Sequence, residues 1–190
     1  DLNTDDLLFR YGVRMEHNLV LDLYCTQIPI IESIGGNPQP KLFPWVFYPM
    51  AINKNNHPIV KNLDPVALKF CSSIDTLNNP DLKKTVLLSS SMYARVQQTP
   101  FSIFLEGAKQ KPDPGLFNQK DIPLAVLLEG NFTSLYRNQF TADFQQLLQI
   151  QRVDFLPKSG LNKMIVMGDG DVANIERDTK GVPLALGYDK

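Results

Sequence analysis

Two aspartates stand two residues apart on a glycine turn, Gly168-Asp169-Gly170-Asp171. Two carboxylates so placed can share a hard cation. The calcium-loop pattern, with its further oxygen ligands and closing glutamate, is absent. Turn and helix-cap duty is therefore the better reading, because Asp and Gly dominate such turns for conformational reasons. A third carboxylate, Glu129, closes the apolar run 124–128 and leads into a similar stretch, Glu129-Gly130-Asn131. If the strands ending at Glu129 and Asp169 were neighbours, both acids would face one crevice, as general acid–base chemistry requires. Ser89-Ser90-Ser91 offers hydroxyl nucleophiles after another apolar run, but the glycines of a nucleophile elbow are missing. The base would have to be His17 or His57, so a serine-capped turn leading into 92–96 is the simpler account. Asn131-Phe132-Thr133 matches a glycosylation acceptor, and no P-loop or complete G-x-G-x-x-G is present. With two histidines and no CxxC, a zinc site is not expected.

The elements that would hold these residues can be read from periodicity. Thr4 with Asp5 and Asp6 starts a capped helix, acids in its first turn, and Gly12 ends it. Alternation over 19–25 marks a strand, continued past a bend by 28–31, and 35–40 is a loop by composition. Residues 42–48 are aromatic and extended, with Phe43, Trp45 and Phe47 on one face. Pro44 removes an amide donor, which places this segment at a sheet edge or bulge. The rings either fill core or inter-domain space or form a partner-docking patch; on the second reading part of them stays accessible or is covered by a second copy. Residues 66–72, 84–88 and 101–105 are strand-like, 75–80 is a loop, and 108–119 is a surface loop rich in Pro and Gly. Residues 139–154, with Phe140, Phe144, Leu147, Leu148 and Val153, fit an amphipathic helix or a polar excursion. The runs 124–128 and 164–167 read as buried strands of an α/β sheet, apolar on both faces. Val126, Leu127, Ile165 and Val166 are then expected to be almost wholly buried. Ligands of open α/β sheets meet the carboxyl ends of such strands, which makes Glu129, Asn131, Asp169 and Asp171 the candidate contacts.

The chain has 190 residues, a length suited to one domain, with 43% hydrophobic and 21% charged residues. Lys and Arg number 19 against 20 Asp and Glu, and no basic cluster exists, which argues against nucleic acid as a partner. No apolar run approaches the ~18 residues of a membrane span. Cys25 and Cys71 could bridge in an oxidising compartment, but isolated strand-like cysteines are more often small buried hydrophobes. The chain opens and closes abruptly in polar sequence and reads as a piece of a longer protein.

Six segments, in order, carry a resemblance: LLFRYGVRMEHNLVLDLYC (7–25), HPIVKNLDPVALKFCSSIDTL (57–77), VLLSSSMYARV (86–96), PLAVLLEGNFTSLYRN (123–138), KMIVMGDGDVANIE (163–176) and PLALGYDK (183–190). Together they resemble the extracytoplasmic region of the gliding-motility-associated ABC-transporter auxiliary proteins of Bacteroidetes, often labelled substrate-binding components. The resemblance implies a membrane-anchored protein at the periplasmic face of the inner membrane, with an α/β region distantly similar to a domain of intraflagellar-transport proteins. It implies an ABC permease and ATPase as partners, a homo-oligomer as a further option, and no enzymatic activity, cofactor, catalytic residue or metal ligand. Members carry further α/β sequence before the point where this chain starts, so the chain is expected to lack opening strands of its sheet. The fold expected is a single α/β domain over 1–190, Rossmann-like or flavodoxin-like, with a mixed, largely parallel sheet and short helices. A small-molecule or glycan binding module and a divalent-metal-dependent hydrolase are the alternatives, both built on the same acids.

Overall fold

The computed structural model describes residues 4–34, 37–138, 141–152, 154–174, 177–178 and 180–184. Helix α1 (Thr4–Arg10) is followed by strands β1 (Val13–Met15), β2 (Asn18–Asp22), β3 (Cys25–Ile34), β4 (Asn37–Ala51), β5 (Val66–Ala67), β6 (Ile74–Thr76), β7 (Leu82–Ser89), β8 (Ala94–Gln98) and β9 (Pro123–Thr133). Helix α2 (Ala142–Ile150) and strand β10 (Lys158–Met167) complete the order. Helix α1 carries Asp5 and Asp6 in its first turn and Arg10 in its last, matching the helix dipole at both ends. Gly12, at φ +77°, lets the chain turn out of the helix, and a Cβ there would lie 2.7 Å from the Lys84 side chain.

Among the described residues every strand pairing is antiparallel. One sheet runs β10-β9-β7, a second β3-β4-β5, and β1 pairs with β6 and β2 with β8. The expected Rossmann-like or flavodoxin-like, largely parallel sheet is therefore not what this sequence builds. The run 124–128 is indeed buried on both faces. Leu124, Ala125 and Leu127 pack with Val20, Ala51, Leu68 and Cys71. Val126, Leu128 and Phe132 pack on the other side with Tyr11, Val13, Ile74 and Val166. A continuous apolar run reports that both faces of a strand are covered. It carries no information about the direction of the neighbouring strands.

Other expectations shift for equally local reasons. Strand β9 continues through Glu129-Gly130-Asn131 instead of ending there. Ile165 is 47% exposed, because β10 is the edge of its sheet and only Met164, Val166 and Met167 turn toward the clusters. Residues 37–40 belong to β4, paired with 31–34, so the predicted loop shortens; Gly35 and Gly36 lie outside the described residues. Residues 101–104 are irregular and lead into a 3-10 turn, Leu105–Lys109, instead of forming a strand. Within 66–72 only Val66–Ala67 is strand, and within 75–80 the chain starts as β6. A helix is present at 142–150 as the periodicity over 139–154 predicts, while Phe140 and Val153 lie outside the described residues. The distal half of the β3–β4 hairpin is an exposed arm, tied back near its tip by Glu32, which pairs with Lys109 at 3.0 Å and Lys41 at 3.6 Å.

These burials make a direct comparison. Leu127→Ala should lower the free energy of unfolding by about 2–5 kcal/mol, as core truncations do. Ile165→Ala should cost about 1 kcal/mol or less, as half-exposed positions do. Urea denaturation of the two variants measures both; equal losses would mean that β10 is not an edge.

Candidate functional site

The Asp169 turn is built by a close crossing of two chain segments. Gly168 donates its N–H to Leu124 O at 2.9 Å and accepts from Ser72 N at 2.8 Å. A Cβ at Gly168 would lie 2.1 Å from Ser72 O, so only glycine fits. The next residue, Asp169, is 6% exposed. Its Oδ2 accepts from Lys69 N at 2.7 Å and its Oδ1 from Asp171 N at 2.7 Å. Asp171 is exposed and accepts from Asn174 Nδ2 at 2.8 Å. Both carboxylates are thus spent on backbone amides and a turn, the conformational role that the glycine spacing suggests.

Glu129 stands elsewhere. It lies opposite Lys163 on β10 and Lys83 on β7, and Lys163 Nζ pairs with it at 2.8 Å. The Lys163 hydrogen bond holds its carboxyl below the usual range, opposed by some desolvation and assisted by the charges of Lys163, Lys83 and His57. Strands β9 and β10 are neighbours, but Lys163 is the residue facing Glu129, and Asp169 lies six positions further along the chain. At a strand rise of about 3.4 Å per residue that is a separation of roughly 20 Å. The shared crevice does not form. Asn131 donates its side-chain amide to Ser159 O at 2.9 Å within the same ladder. Among the described residues no group of three or more His, Cys, Asp or Glu side chains is placed to hold a metal ion.

The aromatic segment also turns inward. Trp45 is 3% and Phe47 8% exposed, packed with Leu21, Ala108 and Phe117, and Phe43 is half-buried against the same cluster. The expectation that these rings stay accessible is therefore corrected for Trp45 and Phe47: alternation along the proximal half of β4 aims them at the core of their own chain. Their edges do border a hollow of about 490 Å³ lined also by Phe101, Phe104, Lys111 and Asp113.

A polar cluster that the sequence reading did not single out lies at the end of β2. Asp22 is fully buried. Its Oδ2 accepts from Ser91 N at 2.7 Å, and its Oδ1 accepts from Ser91 Oγ at 2.6 Å and Tyr24 N at 2.8 Å. Ser91 Oγ in turn accepts from Tyr93 N at 3.0 Å, and Ser90 Oγ accepts from Ile122 N at 3.0 Å. The serine run is a clasp between β2, β7 and the start of β9, with Ser90 and Ser91 already occupied. Its one sequence signal was a lone acid in an apolar alternating strand. Burial pushes the Asp22 carboxyl up, while the Ser91 and Tyr24 hydrogen bonds and the Lys54 charge pull it back down. Cys25 and Cys71 are free thiols, pushed by burial to about 11 and about 12 respectively.

The sequence profile of a family described as an ABC-type uncharacterized transport system matches residues 1–190. The chain belongs to this family of transport auxiliary components. No curated protein and no solved structure matches it. For this ABC-transport auxiliary chain, no described helix is long and apolar enough to cross a membrane.

The Asp22 clasp has a pH signature. A carboxyl whose folded-state value is raised contributes stability that is fully present below its ordinary value of 3.8 and is lost as pH rises through the raised value. The unfolding free energy of the native chain should therefore fall relative to that of Asp22→Asn as pH climbs above 3.8. Chemical denaturation of both proteins across that interval reads the difference, and a constant gap would refute the raised value.

Proposed function

We propose that this chain is a non-enzymatic auxiliary component of an ABC transporter, working at the periplasmic face of the inner membrane beside the permease and ATPase of the same system. Gliding motility is one process such a system could serve. The observation that carries the reading is that Glu129, midway along the β9–β10 ladder, and Asp169, just beyond its end, lie apart and are each bonded by the chain's own groups. General acid–base work needs a titratable group free to meet substrate, and these two are committed to structure. Family membership over residues 1–190 supplies the transport context.

A second reading, a small-molecule or glycan binding module, rests on the hollow between β4 and residues 101–113, where Phe104 is 68% and Phe101 45% exposed beside Lys111 and Asp113. Aromatic faces flanked by charged side chains suit a ligand with apolar and hydroxyl surfaces.

One set of measurements separates these readings. Immobilised chain should retain the detergent-solubilised permease and ATPase of its own system, while Mg²⁺, Ca²⁺ and a glycan panel leave its melting temperature unchanged. A ligand that binds only the folded state must raise that temperature. A rise with a glycan, removed by Phe104→Ala, would favour the second reading. A rise with a divalent cation, removed by Asp169→Asn, would replace both with a metal-dependent one.

A further inference from the structure

The sheets of this chain treat their edges unequally. In the β3–β4 arm, Pro29 pairs with Leu42, Pro40 with Ile31, Pro38 with Ser33 and Pro44 with Gln27. A proline has no N–H to give the ladder, so this class of pair turns its backbone polar groups outward. Along the outer edge of β4, positions 38, 40 and 44 therefore offer no donor, and Leu42 alone does. Prolines placed this way prevent a strand from adding to an edge. The β7 edge of the other large sheet is covered differently: Ser89 bridges to Ile52, and the Asn55 amide caps Val86 O.

Strand β10 has neither device. It is the outer member of β10-β9-β7, ten residues long, and contains no proline. Gly168 N–H meets Leu124 O, so the even-numbered positions of the contiguous ladder face β9 and Leu161, Lys163 and Ile165 turn their N–H and C=O groups outward. Among the described residues no backbone partner meets these three on the far side; the Lys163 amide is held by the neighbouring Asn162 Oδ1 at 2.8 Å. Leu161 is 88% exposed and Ile165 47%, on the same face as Lys163.

Charge states what belongs there. Across the sheet, Lys83, Glu129 and Lys163 stand in one row, alternating in sign and ending on a cation at the open edge. The Lys163 side chain pairs with Glu129 yet remains 67% exposed. Directly opposed unlike charges stabilise neighbouring strands and like charges destabilise them. A second copy related by a two-fold axis through Lys163 would set lysine against lysine.

We propose that the outer edge of β10 is a docking edge for an extended strand of another protein, one that sets an acidic side chain opposite Lys163 and apolar side chains opposite Leu161 and Ile165. The docked strand would take the outward backbone groups of β10, displace the Asn162 side chain from the Lys163 amide, and cover the two exposed apolar residues. Backbone pairing supplies affinity in such strand addition, and the alternate side chains supply specificity. The inference concerns a surface that the transport reading does not use.

A cyclic β-hairpin peptide whose outer strand reads Thr-Val-Thr-Glu-Thr-Val-Thr is a pre-organised probe, and fluorescence anisotropy reads its binding to the full chain. Saturable binding is expected, about tenfold weaker when the central Glu is Lys, a preference that Lys163→Glu should reverse. N-methylation of the outer strand, which alters only the peptide, should abolish binding. Ile165→Pro should do the same while leaving far-UV dichroism unchanged and lowering the melting temperature no more than Ile165→Ala does, since that amide gives no bond to β9; Ile165→Ala, which keeps the amide, should still bind. Equal binding of the Glu, Lys and N-methylated hairpins, or none at millimolar peptide, would overturn the proposal. So would a dimer of the free chain by sedimentation that Ile165→Pro dissociates, which would make a second copy the occupant.

Discussion

Desolvation of β9 on both faces is the constraint from which the rest of the architecture follows. Val126 and Leu128 face one cluster, Ala125 and Leu127 the other, and each side needs its own cover. Helix α1, β1 and β6 supply one layer; β2, the end of β4 and the segment around Leu68 supply the second. Covering both sides brings distant segments into contact at points where little space is left. Gly168 against Ser72 O and Gly130 against Asp81 O are the tightest, with room for no Cβ at either. Buried polar groups near these crossings are then satisfied by side chains, as in Asn18 with Ser73 and Asp22 with Ser91.

How far the sequence discloses this differs by element. The apolar run at 124–128 announces a central strand, and Gly12 announces the end of α1. Strand direction is another matter. Apolar strand, amphipathic helix and apolar strand in succession is the pattern of a parallel crossover unit. Here the excursion over 134–157, which contains α2, leaves and re-enters at one end of the sheet, since Ser134 N–H bonds Pro157 O. The two strands are thereby the arms of a long hairpin. That contact between chain-distant groups is tertiary information, which local periodicity does not encode.

The same distinction explains the site. Asp169 and Asp171 were readable as turn residues because their glycine neighbours fix the backbone locally. The serine run and Asp22 carry their meaning only jointly, across 69 positions of sequence. Tryptophan and phenylalanine in β4 read equally well as core or as surface until the opposite layer is known, and Leu21 and Phe117 decide for core. Proline was the more instructive residue in that segment. It suggested an edge or bulge, whereas β4 is the middle strand of β3-β4-β5, and the register shows which of the two sides of the strand proline closes before β5 joins at Met50 and Ala51.

The two thiols have a consequence for the chemical reactivity of the chain. With its value pushed up to about 12, Cys71 is held as the protonated thiol at neutral pH. Thiolate is the species that attacks disulfides and reacts with oxidants, so burial, assisted by the charges of Asp169 and Asp22, holds this sulfur out of exchange. Cys25, less deeply placed and raised to about 11, follows the same rule. At neutral pH both sulfurs are thus kept protonated by their own surroundings.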